Sequence, residues 1–257
     1  MMPFLNQNRN SKAAEKDKLS LYLFVYALSY ALLHILPPYL TYEIKYLLTV
    51  GDVFDILTPI IILLLVYRIY LHIEAEIPNG SKRFNQVTIM TALILGGVFF
   101  VEGHGMHLSA NAISRHLSSN ELSPLYSLTY FFDETLGHIF WDGGIIILSI
   151  GLVILASANQ QTKILSINHA LIIPASALYG FTYFVNAVEG QTVIFTLPLA
   201  VMIPLFICEL EKLKLKFILS NPVLSFFASG YLFAACLFTV WGAWRNGFPQ
   251  FSDLGWV

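Results

Sequence analysis

The sequence predicts an all-α membrane protein, a bundle of seven transmembrane helices with its N-terminus in the cytoplasm and its C-terminus outside. Three observations carry that expectation. Charged residues make up 12% of the chain and hydrophobic ones 56%, with a mean hydropathy of +0.68; a soluble domain holds about 25% charged residues. Seven apolar stretches approach or exceed the roughly 20 residues that a helix needs to cross a bilayer. The basic residues are sorted by side, as the orientation of membrane helices requires.

The first stretch runs from Leu19 to Leu36 and stops at Pro37-Pro38, which cannot continue a helix. No small-residue cleavage site follows it, so an uncleaved first helix is expected. The second covers Val50–Ile73, with Pro59 as a kink point. The third starts near Phe84 and stays apolar up to Val101. The fourth, Pro124–Ala158, is longer than a bilayer needs, so its first turns should rise above the hydrocarbon. Ile167–Val188, Gln191–Cys208 and Asn221–Trp244 complete the set. The chain therefore divides into a cytoplasmic tail (1–18), one transmembrane domain (19–244) and an outer tail (245–257), without repeats or a soluble domain.

Of 14 basic residues, Arg9, Lys12, Lys16, Lys18, Arg68, Lys82, Arg83, Lys163, Lys212, Lys214 and Lys216 fall on the N-terminal side of this arrangement. Lys45, Arg115 and Arg245 fall on the other. Trp141, Trp241, Trp244 and Trp256 all lie towards the outer end, where an aromatic belt is expected. The localisation expected is the plasma membrane or its equivalent. No segment has the dense basic stripe that binds nucleic acid, so the expected partner is membrane lipid. Cys208 and Cys236 sit in apolar runs without CxxC spacing and read as small hydrophobes.

Two polar stretches interrupt the apolar background. One is Glu102-Gly103-His104-Gly105-Met106-His107, continuing through Asn111 to His116; the other is Asp133-Glu134 followed by His138, Trp141 and Asp142. Ionisable groups at membrane depth are costly and usually mark a functional site. Counting from Arg83, His104 lies roughly 31 Å along the third helix; counting back from Ala158, His138 lies roughly 30 Å along the fourth. Asp52, Asp55, Asn186 and Glu189 come out at a similar height, giving one polar layer on the extracytoplasmic side.

On a helix, His104, His107 and Asn111 share one face, and Glu134, His138 and Trp141 share another. Three imidazoles (His104, His107, His138) and the Glu134 carboxylate form a set that a divalent metal takes, with zinc the favoured ion. Asp142 or Asp133, free of the metal, would serve as general base. Glu102 faces away from His104 in a continuous helix, whereas Gly103 and Gly105 either break that helix or let another approach closely. His34 could be a fourth imidazole of the site but reads first as a cap on the first helix, and His72 and His169 read as interfacial groups. Glu189 shares a face with Asn186 and could join the site. The tail from Trp244 to Phe251 could close over the site as a lid, but is expected to lie in the membrane interface.

A zinc site in seven spans invites comparison with the alkaline-ceramidase and progestin-receptor superfamily. That family's His-x-x-x-His lies in its last helix, and Asn221–Trp244 contains no histidine. It contains no lysine either, which removes a retinal Schiff base. The expected function is a metal-dependent hydrolase acting on a lipid or lipid-like amide or ester at the outer membrane–water interface. The alternatives are an electron carrier with b-type haem ligated by His104 or His107 and His138, a cation transporter, or an accessory subunit of a membrane complex.

Overall fold

The computed structural model describes residues 18–46, 48–77, 85–117, 122–158 and 167–256. The tail 1–17 lies outside these residues, as do Lys82, Arg83 and Lys163, so six of the basic residues used for orientation are not among those described.

Helix α1 (Lys18–Ile35) ends where Pro37–Tyr39 turns as a 3₁₀ segment. A small antiparallel hairpin, β1 (Glu43–Lys45) with β2 (Leu48–Thr49), leads into α2 (Val50–Glu76). A reciprocal capping box starts α2: Thr49 Oγ1 accepts the Asp52 N–H at 3.2 Å, and the Asp52 carboxylate accepts the Thr49 N–H at 2.6 Å. Helix α3 (Gln86–Leu117) runs unbroken for 32 residues, so Gly103 and Gly105 do not interrupt it. The fourth span is segmented: α4 (Pro124–Tyr130) passes through a π-helical turn at Phe131–Gly137 into α5 (His138–Ser157). Helices α6 (His169–Glu189), α7 (Val193–Leu210), the short α8 (Leu215–Ser220) and α9 (Pro222–Arg245) follow.

Among the described residues, seven helical stretches are long and apolar enough to cross a membrane, α4 through α5 counting as one. Large aliphatic side chains such as Leu21, Ile60, Leu64, Ile94, Leu205 and Leu232 stand exposed around the bundle. An apolar surface of that kind faces lipid, not water. The chain is an all-α membrane bundle.

Glycines set the spacing of its closest helix pair. Helix α3 packs along α5. A Cβ on Gly103 would run into the backbone of Trp141 and Gly137, and one on Gly144 into the backbone of Phe100. The two backbones thus touch directly, the small-residue packing that membrane helices use. Helix α6 packs on α1 and α9, and the hydroxyls buried there satisfy one another. Tyr179 and Tyr231 are 2.9 Å apart, and each is 3.0 Å from Ser149 Oγ, so α5, α6 and α9 are tied by a closed triangle. With no water in the hydrocarbon, such groups must find partners inside the bundle.

Two of the four tryptophans are buried within the bundle. Trp141 and Trp241 are 4% and 5% exposed, while Trp244 and Trp256 are 62% and 50% exposed.

Candidate functional site

The polar residues of six chain segments meet at one end of the bundle. Helix α1 brings His34 from its last turn, α2 brings Asp52 and Asp55 from its first two turns, and α3 brings His107, Asn111 and Arg115. The π-helical turn contributes Glu134, the first turn of α5 His138 and Trp141, and the end of α6 Asn186 and Glu189. Together they line a cavity of about 570 Å³ whose remaining wall is largely aromatic and aliphatic. That volume is in the range of small-molecule sites.

His107 and His138 lie side by side, with ring centroids 5.0 Å apart. Behind His107, Asp133 is buried with its Oδ1 2.7 Å from His107 Nδ1. A carboxylate on one ring nitrogen fixes the imidazole's tautomer and leaves the other nitrogen to meet a ligand. His138 is 6% exposed and its Nδ1 has no protein partner. Its ring packs against Gly190, where a Cβ would overlap it.

The structure thus brings His107, Glu134 and His138 to one cavity, with Asp133 supporting His107. His104 and Asp142 do not line it. His104 is buried one helical turn away and stacks on Trp141 at a centroid distance of 3.9 Å, with both ring nitrogens lacking a protein partner. Asp142 is fully buried and accepts a hydrogen bond from Thr192 Oγ1. Among the described residues, no three His, Cys, Asp or Glu side chains converge closely enough to hold an ion as they stand.

Several features were not legible in the sequence. Trp141 sits among four imidazoles, its centroid 3.9 Å from His104, 4.7 Å from His34, 5.1 Å from His138 and 5.5 Å from His107. His34 is more than a cap: Nδ1 lies 2.6 Å from the Tyr30 carbonyl, whereas Nε2 has no protein partner and the ring lines the cavity. Arg115 Nη2 donates to Asp52 Oδ2 at 2.6 Å, tying the C-terminal part of α3 to the start of α2. Only the height of Asp52 and the charge of Arg115 hinted at this pair.

The C-terminal segment folds back over the cavity instead of trailing along the interface. Phe251 and Trp256 line the cavity. Glu189 accepts the Phe251 N–H at 2.8 Å, Gln191 Nε2 donates to Gln250 Oε1 at 2.8 Å, and Trp241 Nε1 donates to the Pro249 carbonyl at 3.3 Å. Glu102, by contrast, stands exposed on the opposite side of α3, as helical periodicity expects.

No family model, curated protein or solved structure matches the chain.

Proposed function

We propose that this protein is a metal-dependent membrane hydrolase, zinc being the favoured ion, that cleaves an ester or amide of a lipid-like molecule. The observation that carries the reading is the pair of adjacent imidazoles, His107 and His138, on the wall of a largely apolar cavity that Glu134 also lines. His107, His138 and Glu134 would hold the ion, with Asp133 orienting His107. As they stand the three side chains do not converge, so holding an ion would require them to change rotamer. A bound ion would supply a water activated for attack on a carbonyl carbon. One water is consumed, the C–O or C–N bond breaks, and the leaving oxygen or nitrogen takes up a proton. Asp55, a buried carboxylate on the same cavity, suits the role of base. His104 and Asp142 act as support behind the wall.

The eleven-to-three sorting of the 14 basic residues supports an N-terminus in the cytoplasm, which would open the cavity to the extracytoplasmic side.

Metal content and turnover, measured side by side on purified protein with vesicle-borne lipid esters and amides, test the reading. His138→Ala should lose the ion and activity together. Glu134→Gln should weaken metal binding, and Asp55→Asn should keep the ion while slowing turnover by roughly 10²–10⁴-fold. Wild-type protein that carries no ion after growth in zinc and takes none up on titration would sink the proposal.

A further inference from the structure

The charge of the cavity and the rings on its wall bear on what enters it, an inference that rests on reading this cavity as the reaction site. Among the described residues, Asp52, Asp55, Glu134 and Glu189 line it against one guanidinium, Arg115. Counting only the carboxylates and the guanidinium, these four acids and one cation leave a formal charge of −3. Arg115 is already engaged with Asp52 at 2.6 Å. A bound divalent ion would still leave −1. In an apolar, poorly solvated cavity such a charge is weakly screened and repels anions. A phosphate, sulfate or carboxylate headgroup would enter against that field, while an ammonium group would enter with it.

The aromatic wall points the same way. Trp241, Phe251 and Trp256 line the cavity and pack together, with centroids 4.8 to 6.0 Å apart. Indole and phenyl faces attract cations through their quadrupole. This cluster already holds one: the Arg245 guanidinium, which is not part of the cavity wall, lies 5.2 Å from the Trp241 ring and 5.3 Å from the Trp256 ring. One buried ring nitrogen, His34 Nε2, belongs to a side chain on the same wall and lacks a protein partner. A neutral imidazole nitrogen can accept a hydrogen bond from an ammonium N–H.

We propose that the cavity selects a cationic amphiphile, an aliphatic chain that carries an ammonium headgroup. The headgroup lies against Asp55 and Glu134, with the aromatic rings beside it, and the chain follows the apolar wall.

Binding can be measured without turnover. The protein is placed in nanodiscs of neutral lipid, metal-free and zinc-loaded, and titrated with hexylammonium, hexyltrimethylammonium, hexyl sulfate and hexanol. Tryptophan fluorescence is the readout, and empty nanodiscs correct for partitioning. The ammonium compounds should bind at least tenfold more tightly than the sulfate and the alcohol. The double variant Asp55→Asn/Glu134→Gln should erase that preference, and Trp256→Leu, which leaves every carboxylate in place, should weaken ammonium binding several-fold. Equal binding of all four compounds, tighter sulfate binding, or a preference untouched by both variants would overturn the inference. Ammonium selectivity in a protein that hydrolyses nothing would remove the hydrolase and leave this inference standing. Hydrolysis without ammonium selectivity would do the reverse.

Discussion

Gly190 ends α6 directly against the ring of His138, and a Cβ there would overlap both the ring and the Cβ of His138. The whole side chain, not a flexible tip, would have to move. Gly190→Ala should therefore displace the imidazole and lower zinc affinity at least tenfold while the protein still folds. Isothermal titration beside the neighbouring Gln191→Ala control checks this, and equal affinities would show that His138 is not a ligand. Asp133→Asn tests the support of His107 in the same assay. It should cost roughly 10- to 100-fold in metal affinity, the usual effect of losing a carboxylate behind a ligating histidine. At this scale the sequence was informative about residue type and height but not about partners. His107, Glu134 and His138 could be singled out because ionisable groups are costly inside a membrane. The roles of Gly190 and Trp141 could not, since a glycine after a helix and a tryptophan near an interface each have a more common explanation. Asp133 was legible as polar and buried, but its pairing with His107 depends on how two helices face each other.

The helix pair α3 and α5 owes its close approach to glycines, and that approach puts His107 next to His138. A Cβ on Gly144 meets the Phe100 backbone, whereas one on Gly143, its neighbour, meets nothing within 4 Å. Gly144→Ala should separate the helices and destabilise the fold by about 1–3 kcal/mol, the cost of overpacking. Gly143→Ala should be neutral or slightly stabilising, because alanine favours helix more than glycine does. Thermal unfolding of the two variants in detergent measures the difference, and identical melting temperatures would show that backbone contact does not set the spacing. The π-helical turn at Phe131–Gly137 is the other device at this scale. It fits an extra residue into the helix, so Asp133 meets His107 while Glu134 reaches the cavity. Apolar length and periodicity locate the helices to within a few residues, as they do for α1, α2 and α9. They carry no mark of a π-helical turn, which packs against α3.

At the scale of the whole molecule, the described C-terminal residues act as a strap against the cavity wall, and one carboxylate is its main fastening. Glu189 accepts the Phe251 N–H at 2.8 Å and lies 3.4 Å from the Ser252 N–H, while its backbone carbonyl takes the Gln250 amide. Composition and charge sorting made the membrane bundle legible but not the strap, because Gly247-Phe248-Pro249 reads equally well as an interfacial end. Asn246 turns the chain back with a left-handed cap at φ 56°, and the aromatic packing of Phe251 on Trp241 holds the return. Hydrogen bonds to a charged acceptor contribute about 1.5–3 kcal/mol, so Glu189→Ala should raise amide exchange across Phe251–Trp256 by roughly ten- to a hundredfold. Exchange in the buried middle of α9 should not change, since the helix keeps its contacts with α6 and α7. A strap that gates the cavity predicts faster association of hexylammonium in the same variant, because its entry no longer waits for the strap to open. Faster exchange without faster association would leave the strap as a structural clasp, with ligands entering between helices from the lipid. Unchanged exchange would mean that Phe251 and Trp256 are held by their ring contacts alone, and Phe251→Ala would then be the variant that opens the cavity.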